Sequence, residues 1–418
     1  MLDGYSDCLR REQLVCNPRS FDHASLAAAY CFGDYALARK TLLQIIRTQD
    51  DTGWFNSHGF SATNNDESGM CLWWMVWLKD YCHYSGDSAL ARGLFEELGS
   101  ALRYFSRMEN THGLIDCKNE NNRALLGRCA YLDDSTGYYP YVNTEGIFQG
   151  ELFGYNIMYY AGLISAAELA EELGYKQEAL FYRKKAELAK ASVNERFWSP
   201  EKGLYIDWRK GKEFSDKSSL VFLIAALYFD LCDKEKKEKV FRHIVKETSH
   251  NLEEFDMTIG FYFYLLELLF SRKEDKLALD VMRRYYGRWI ELTPGGSTFG
   301  EFLTLKGWKD IKEIHEEHEV HGYGTSAHLH FYSHLLGIKP LEPGFKGVII
   351  EPHPGDLEYA EGKVFIPQGE VDIAWRIRNS SFIMEIKLPK VCRYQVKPPA
   401  GYQNYQIKVN GKTQQLLK

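Results

Sequence analysis

The chain has 418 residues, 45% hydrophobic and 26% charged, and a formal net charge of −6 at pH 7. That acidic balance argues against a nucleic-acid binder, which shows a basic excess, and no run approaches the roughly 18 uninterrupted apolar residues of a transmembrane helix. The length suits one large domain plus a smaller one. The start, Met1-Leu2-Asp3-Gly4-Tyr5, lacks the basic and apolar regions of a secretion signal. Nine scattered cysteines, none in a Cys-x-x-Cys pair, read as reduced thiols of a cytosolic protein rather than a disulfide framework or zinc site. The 27 Tyr and 9 Trp suit a core of large side chains, and equally a site whose rings stack on sugar faces.

In chain order, the first signal is an internal repeat. Gly33-Asp34-Tyr35-Ala36-Leu37-Ala38-Arg39 returns as Gly86-Asp87-Ser88-Ala89-Leu90-Ala91-Arg92. Each copy follows an apolar helical run (26–32, 72–84) and opens another (36–46, 89–105). Glycine can close a helix in the left-handed conformation, and aspartate can cap the next by accepting from its free N–H groups. The unit is therefore a helical hairpin. Weaker copies follow at 157–173 with 177–197, 220–231 with 234–247, and 259–270 with 276–289; a last helix, 324–336, stops at Gly337. A hairpin cannot bury its apolar face alone, and closing several into a ring gives an α/α toroid. The long polar and aromatic loops 51–69, 110–150, 198–216 and 292–323 then form one face, where loops of such length carry function.

After Gly337 the pattern changes to short β-branched runs separated by Gly and Pro: 347–352, 362–367, 369–375, 381–388 and 405–409, closed by the turn Asn410-Gly411. The expected architecture is mainly α, a helical domain over 1–337 with a small antiparallel β-sandwich over 338–418.

Nucleophile-elbow, P-loop and dinucleotide motifs are absent from the sequence. His315 and His318 are three residues apart, not the four that a zincin helix needs; the stretch reads as a charged loop, and neither a metal nor an organic cofactor is expected. Two loops remain: Asp7-Cys8-Leu9-Arg10-Arg11-Glu12-Gln13, and Gly295-Gly296-Ser297-Thr298-Phe299-Gly300-Glu301 followed by His321-Gly322-Tyr323-Gly324. Glycosidic cleavage needs one carboxylic acid to protonate the leaving oxygen and a carboxylate on the opposite face. A toroid can bring its first and last hairpins together, so Glu12 and Glu301 are the candidate pair. Two surface glutamates are the competing reading. Arg11 would lower the Glu12 pKa and a dry cleft would raise it.

These loops resemble the bacterial α-L-rhamnosidases, inverting six-hairpin glycosidases. Asp7, Cys8, Arg11 and Glu12 match that family's early Asp-Cys-Pro-x-Arg-(Asp)-Glu signature. The 295–301 turn is similar to its Gly-Ala-Thr-Thr-x-x-Glu turn, and 321–324 to its His-Gly-Trp-Gly segment. Leu336-Gly337-Ile338-Lys339-Pro340, Pro343-Gly344-Phe345 and Ile350-Glu351-Pro352 resemble its link into a C-terminal sandwich. The resemblance implies an (α/α)6 toroid and inverting removal of terminal α-L-rhamnose. Glu12 would be general acid and Glu301 general base, with Asp7, Arg11 and His321 as sugar contacts.

The chain departs from the pattern at several points. Leu9 replaces the signature proline. Asn17-Pro18-Arg19 stands where a sugar-binding Asp is usual, leaving Asp22 as its stand-in. Asp133-Asp134 stands where an Asp-Trp pair is common, both being kept as substrate contacts, with Trp74 (or Trp73) as replacement stacking ring against a reading as helix core. Family members also place sandwich domains and a first barrel helix before the signature, whereas Met1 lies six residues before Asp7. An apolar face left open by that absence would favour self-association or pairing with a missing N-terminal segment. Two rival functions stay open: a catalytically silent carbohydrate-binding relative, and a six-hairpin enzyme for another sugar, such as an unsaturated uronide, for which Arg10, Arg11 and Arg19 are the available cations.

Overall fold

A computed structural model describes residues 18–56, 69–116, 150–251, 257, 259–292, 322–390 and 392–414. Helices alternate between two burial classes. One class comprises α1 (Pro18–Phe32), α3 (Gly69–Ser85), α6 (Phe153–Leu173), α8 (Leu220–Tyr228), α10 (Ile259–Ser271) and α12 (Ser326–His330). The other comprises α2 (Ala36–Ile46), α5 (Phe95–Ser106), α7 (Lys176–Arg196), α9 (Lys234–Asn251) and α11 (Asp275–Leu292). Seventeen of the 21 residues of α6 are buried against seven of 21 in α7, and 11 of 13 in α10 against four of 18 in α9. A helix apolar all round must be surrounded, whereas one apolar stripe needs a single cover, so the first class forms an inner layer and the second an outer one. The inner layer closes on itself: α1 packs on α3, α3 on α6, α6 on α8, α8 on α10, α10 on α12 and α12 on α1. That ring is the expected toroid.

The repeat chemistry is visible at the turns. Gly33 and Gly86 adopt left-handed φ of +67° and +77°. Asp34 Oδ1 accepts from the Ala36 N–H at 2.8 Å, and Asp87 Oδ1 from the Leu90 N–H at 3.0 Å. The continuous helix expected over 89–105 is instead two, α4 (Ser88–Gly93) and α5, because Leu94 leaves the helical region at Gly93 (φ −113°, ψ 7°). The last helix also breaks up: a 3₁₀ turn (Gly322–Thr325), α12, then a π turn (Phe331–Leu335).

The 198–216 loop holds strands that its polarity hid. β2 (Trp198–Ser199) pairs with β3 (Leu204–Tyr205), and β4 (Trp208–Lys210) pairs with both β1 (Glu151–Leu152) and β5 (Glu213–Phe214). Beyond Gly337, the described residues form eight strands: β6 (Ile338–Pro340), β7 (Gly347–Ile350), β8 (Tyr359–Ile366), β9 (Gly369–Arg378), β10 (Ser381–Lys387), β11 (Arg393–Val396), β12 (Asn404–Val409) and β13 (Lys412–Thr413). They form sheets ordered β13-β12-β10-β9-β8 and β11-β7-β6. Alternate residues such as Val364, Ile366, Val371, Ile373, Phe382, Met384 and Ile386 are buried, as two packed sheets require. The antiparallel pattern holds except at two pairs, β10 with β12 and β7 with β11, which run parallel.

The β domain is not a detached module. Trp375 Nε1 donates to the Leu335 carbonyl at 2.7 Å and Tyr30 OH to the Ile338 carbonyl at 2.7 Å. Among the described residues no helix is long and apolar enough to cross a membrane.

Candidate active site

Matched contacts set the direction of the inner helices. Phe21 of α1 lies under Gly322, Ser25 Oγ accepts from Trp77 Nε1 of α3 at 2.9 Å, and Tyr30 stacks on Tyr332. Early residues meet early residues and late meet late, so α1, α3 and the 322–335 segment run parallel. On α10, Phe263 faces His23 and His330, and Phe270 faces His334. The long connections therefore enter the ring at one rim, and the short turns leave it at the other.

Glu12, Asp7 and Arg11 lie in the segment that ends at Pro18, the start of α1. Glu301 and His321 lie in the segment that ends at Gly322. All five are outside the described residues. The two segments nevertheless end side by side: a Cβ added at Gly322 would stand 3.1 Å from Phe21 Cε1. Just over three hundred positions of chain are closed by that contact, and the segments that carry the candidate carboxylates both end at it.

Asp133 and Asp134 are likewise outside the described residues, but both ends of their segment, 117–149, are pinned. Glu151 is 3% exposed and takes a two-pronged contact from Arg196 (Nη2 to Oε1 2.8 Å, Nε to Oε2 3.0 Å). Asn110 Nδ2 donates to Glu151 Oε1 at 2.6 Å and stands 3.5 Å from Asp116 Oδ2. Asn156 of α6 accepts from the Ile115 N–H and donates to the Leu152 carbonyl. A fork-shaped guanidinium on a carboxylate fixes orientation as well as distance, so residues 116 and 150 are held as a pair. Beside them is a hollow of about 140 Å³ lined by Asp116, Glu151, Arg196, Arg209 and Lys210. The sequence offered no signal for this cluster, because Arg196 and Glu151 sit 45 positions apart, one at the end of α7 and the other just ahead of α6. Larger hollows, about 370 and 650 Å³, lie on the outer face of the C-terminal sheet, away from the rim.

Asp22 and Trp74 are described, and neither is placed as a simple surface contact. Asp22, on the second turn of α1, is 2% exposed and its Oδ1 has no hydrogen-bond partner. Burial, and then the nearby Asp80 carboxylate, push its pKa well above the usual carboxylate range, with Lys79 opposing. Its neutral form is thus favoured, unlike an ionised sugar-binding Asp. Trp74 is fully buried, edge-on to Phe55 at 5.4 Å, and its Nε1 donates to the Leu42 carbonyl at 3.1 Å. Its indole offers no open face for stacking; Trp73 is equally buried. Both rings serve the core of α3, which corrects the stacking role expected for Trp74. The His315–His318 stretch lies outside the described residues. Among those described, a group with metal-ligand chemistry, Glu267 with His330 and His334, occurs at the opposite end of the ring.

Comparison with known proteins agrees with this layout. Residues 1–320 match the bacterial alpha-L-rhamnosidase 6 hairpin glycosidase domain, and residues 337–413 match the bacterial alpha-L-rhamnosidase C-terminal domain. The chain is 26% identical over 247 residues to an alpha-L-rhamnosidase of Alteromonas sp. (strain LOR), covering 56% of this chain and 25% of that protein. It is 25% identical over 294 residues to an alpha-L-rhamnosidase of Formosa agariphila, covering 66% and 30% respectively. The chain therefore spans about a quarter to a third of the length of these curated relatives. Among solved structures, a GH78 family rhamnosidase of Bacillus sp. GL1 superposes with a TM-score of 0.83 at 20% identity, over 97% of this chain and 41% of the other. With both family models matched in order across the helical and β domains, the chain belongs to the bacterial α-L-rhamnosidase family.

Proposed function

We propose that the chain is a glycoside hydrolase that removes terminal α-L-rhamnose by single displacement with inversion. The observation that carries the reading is the Phe21–Gly322 contact, where the segments bearing Glu12 and Glu301 end on neighbouring turns of one rim. In this mechanism Glu12 protonates the glycosidic oxygen while Glu301 takes a proton from the attacking water. The two carboxyl groups then stand roughly 6.5–9.5 Å apart, leaving room for that water. Asp7, Arg11 and His321 supply polar contacts to the sugar. Asp133 and Asp134, in the segment whose ends are pinned at 116 and 150, add further polar contacts in this reading, and Asp22 is a neutral floor residue. A metal has no step in this scheme.

The test is hydrolysis of an aryl α-L-rhamnoside by the purified chain. Glu12→Gln and Glu301→Gln are each expected to lower kcat by about 10²–10⁴-fold, the usual contribution of a positioned acid or base. NMR of the first-formed sugar should show the β anomer. Unchanged kcat in both variants would remove the pair, and an α-anomeric first product would remove single displacement. Saturable rhamnoside binding without turnover would favour the silent-relative reading instead.

A further inference from the structure

The exit rim of the ring carries a cluster that the proposed hydrolysis does not use. Glu267 sits near the end of α10. His330 ends α12, and His334 lies in the π turn that follows. Glu267 Oε1 is 2.8 Å from His334 Nε2 and 3.3 Å from His330 Nδ1. The three donor atoms all lie within 4.8 Å of one another. Both imidazoles are fully buried, and neither ring nitrogen of His330 has a hydrogen-bond partner. A buried polar atom left unpaired destabilises the fold, so its retention here asks for an explanation.

The local backbone adds a second observation. A residue four places along a helix projects over the same face, and the π turn, closed by the Leu336 N–H on the Phe331 carbonyl at 2.9 Å, carries His334 on that face with His330. Such π bulges concentrate at functional sites. Stacking fixes both rings: Phe263 lies 5.0 Å from His330 and Phe270 lies 4.5 Å from His334.

We propose that Glu267, His330 and His334 form a binding site for one divalent transition-metal ion of the zinc class, with Lys339 as the competing cation. Two imidazole nitrogens and one carboxylate oxygen suit Zn²⁺, Co²⁺ or Ni²⁺ and not Ca²⁺ or Mg²⁺, which prefer all-oxygen shells. Zinc bonds to N and O run about 2.0–2.2 Å. Ligand atoms around such an ion stand about 2.8–3.6 Å apart for angles between 90° and tetrahedral, again from those bond lengths. The 2.8 and 3.3 Å separations fall at that range. Metal ligation needs a neutral imidazole and an ionised carboxylate. Burial holds the His334 pKa down to about 3. The Glu267 carboxyl stays well below its usual range, because the charges of His334 and Lys339 and the hydrogen bond with His334 outweigh its burial.

Lys339 on β6 is the chief rival for the place. Its Nζ stands 3.2 and 3.3 Å from the two ring nitrogens of His334, and burial pulls its pKa down. Its long stem can withdraw the ammonium, whereas the two rings are fixed. Because the cluster lies at the rim opposite the catalytic loops and directly before Gly337 and β6, the ion would staple α10 and α12 where the β domain attaches, without entering the hydrolytic step.

The experiment measures Zn²⁺ per chain by mass spectrometry after dialysis against Zn²⁺ and then against buffer, with the Co²⁺ absorption spectrum and the melting temperature as further readouts. Wild type should take up one equivalent, melt several degrees higher with Zn²⁺, and give a Co²⁺ spectrum without a thiolate charge-transfer band. His330→Ala and His334→Ala should each lose that uptake. Lys339→Met, which keeps all three ligands, should bind at least tenfold more tightly. Absence of uptake in both wild type and Lys339→Met would overturn the proposal. So would full uptake in the two histidine variants, which places the ion elsewhere, for example on His315 and His318. Should the histidine variants fail to fold, the wild-type and Lys339→Met affinities decide alone.

Discussion

Asp22 shows how burial changes what one side chain can do. Its carboxyl lies inside the ring beside Asp80 and Lys79, 2% exposed, with its pKa raised by burial first and by Asp80 second. A raised folded-state pKa means that the folded chain holds the proton more tightly than the unfolded chain, where Asp titrates near 3.9. The contribution to stability is present in full below that value and is lost as pH rises through the folded pKa. Asp22→Asn cannot titrate, so its melting temperature relative to wild type is expected to climb as pH is raised from about 4. Parallel melting curves over pH 4–8 would show that Asp22 ionises at no cost. The sequence made Asp22 visible only as a stand-in for a missing aspartate. Its neutral form follows from burial in the ring and from Asp80, 58 positions away, which outweigh Lys79 and which no local pattern connects to it.

At the scale of elements, the glycine-aspartate turn was legible because its chemistry is local. Gly86 has a φ of +77°, and a Cβ there would stand 2.9 Å from the Gly344 Cα. The turn thus needs glycine twice over, for its left-handed backbone and for the close approach of the link into the β domain. Gly86→Ala should cost roughly 1–3 kcal/mol, the usual range for a side chain forced into left-handed backbone, measured by urea unfolding. Gly174→Ala shares a φ of +80° but meets nothing within 4 Å, and so should cost less; equal losses would assign the whole effect to φ. Elements whose reasons are not local were missed or misjudged. The break at Leu94, the short strands of 198–214 and the π turn at 331–335 depend on partners, not on periodicity. Trp74 was ambiguous for the same reason: a tryptophan in an apolar helix reads alike whether its ring faces a cleft or the Leu42 carbonyl.

At the scale of the molecule, the toroid and the β domain share one hydrophobic core, running from α1 through Phe345 and Val348 to Trp375 and Ile407. Tyr30 illustrates the coupling, with its hydroxyl on the Ile338 carbonyl and its ring against Tyr332 and Phe345. A shared core should unfold as a unit, so calorimetry is expected to show a single transition. Tyr30→Phe should lower it by about 1–3 kcal/mol, since the buried Ile338 carbonyl is left unpaired. Two resolved transitions, with Tyr30→Phe moving one alone, would show that the domains are only weakly coupled.

The sequence by itself determined the hairpin repeat, the change from helix to strand after Gly337, and the candidate pair Glu12 and Glu301. Those depend on periodicity, turn chemistry and ordered motifs, which are properties of neighbouring residues. Only the tertiary structure decided which helices form the inner ring, that the ends of the Glu12 and Glu301 segments meet at Phe21 and Gly322, and that Glu151 with Arg196 pins the 117–149 segment. It alone also gathered Glu267, His330 and His334. Ring closure brings together side chains tens to hundreds of positions apart, and their burial and charge balance are set by that closure rather than by anything adjacent in the chain.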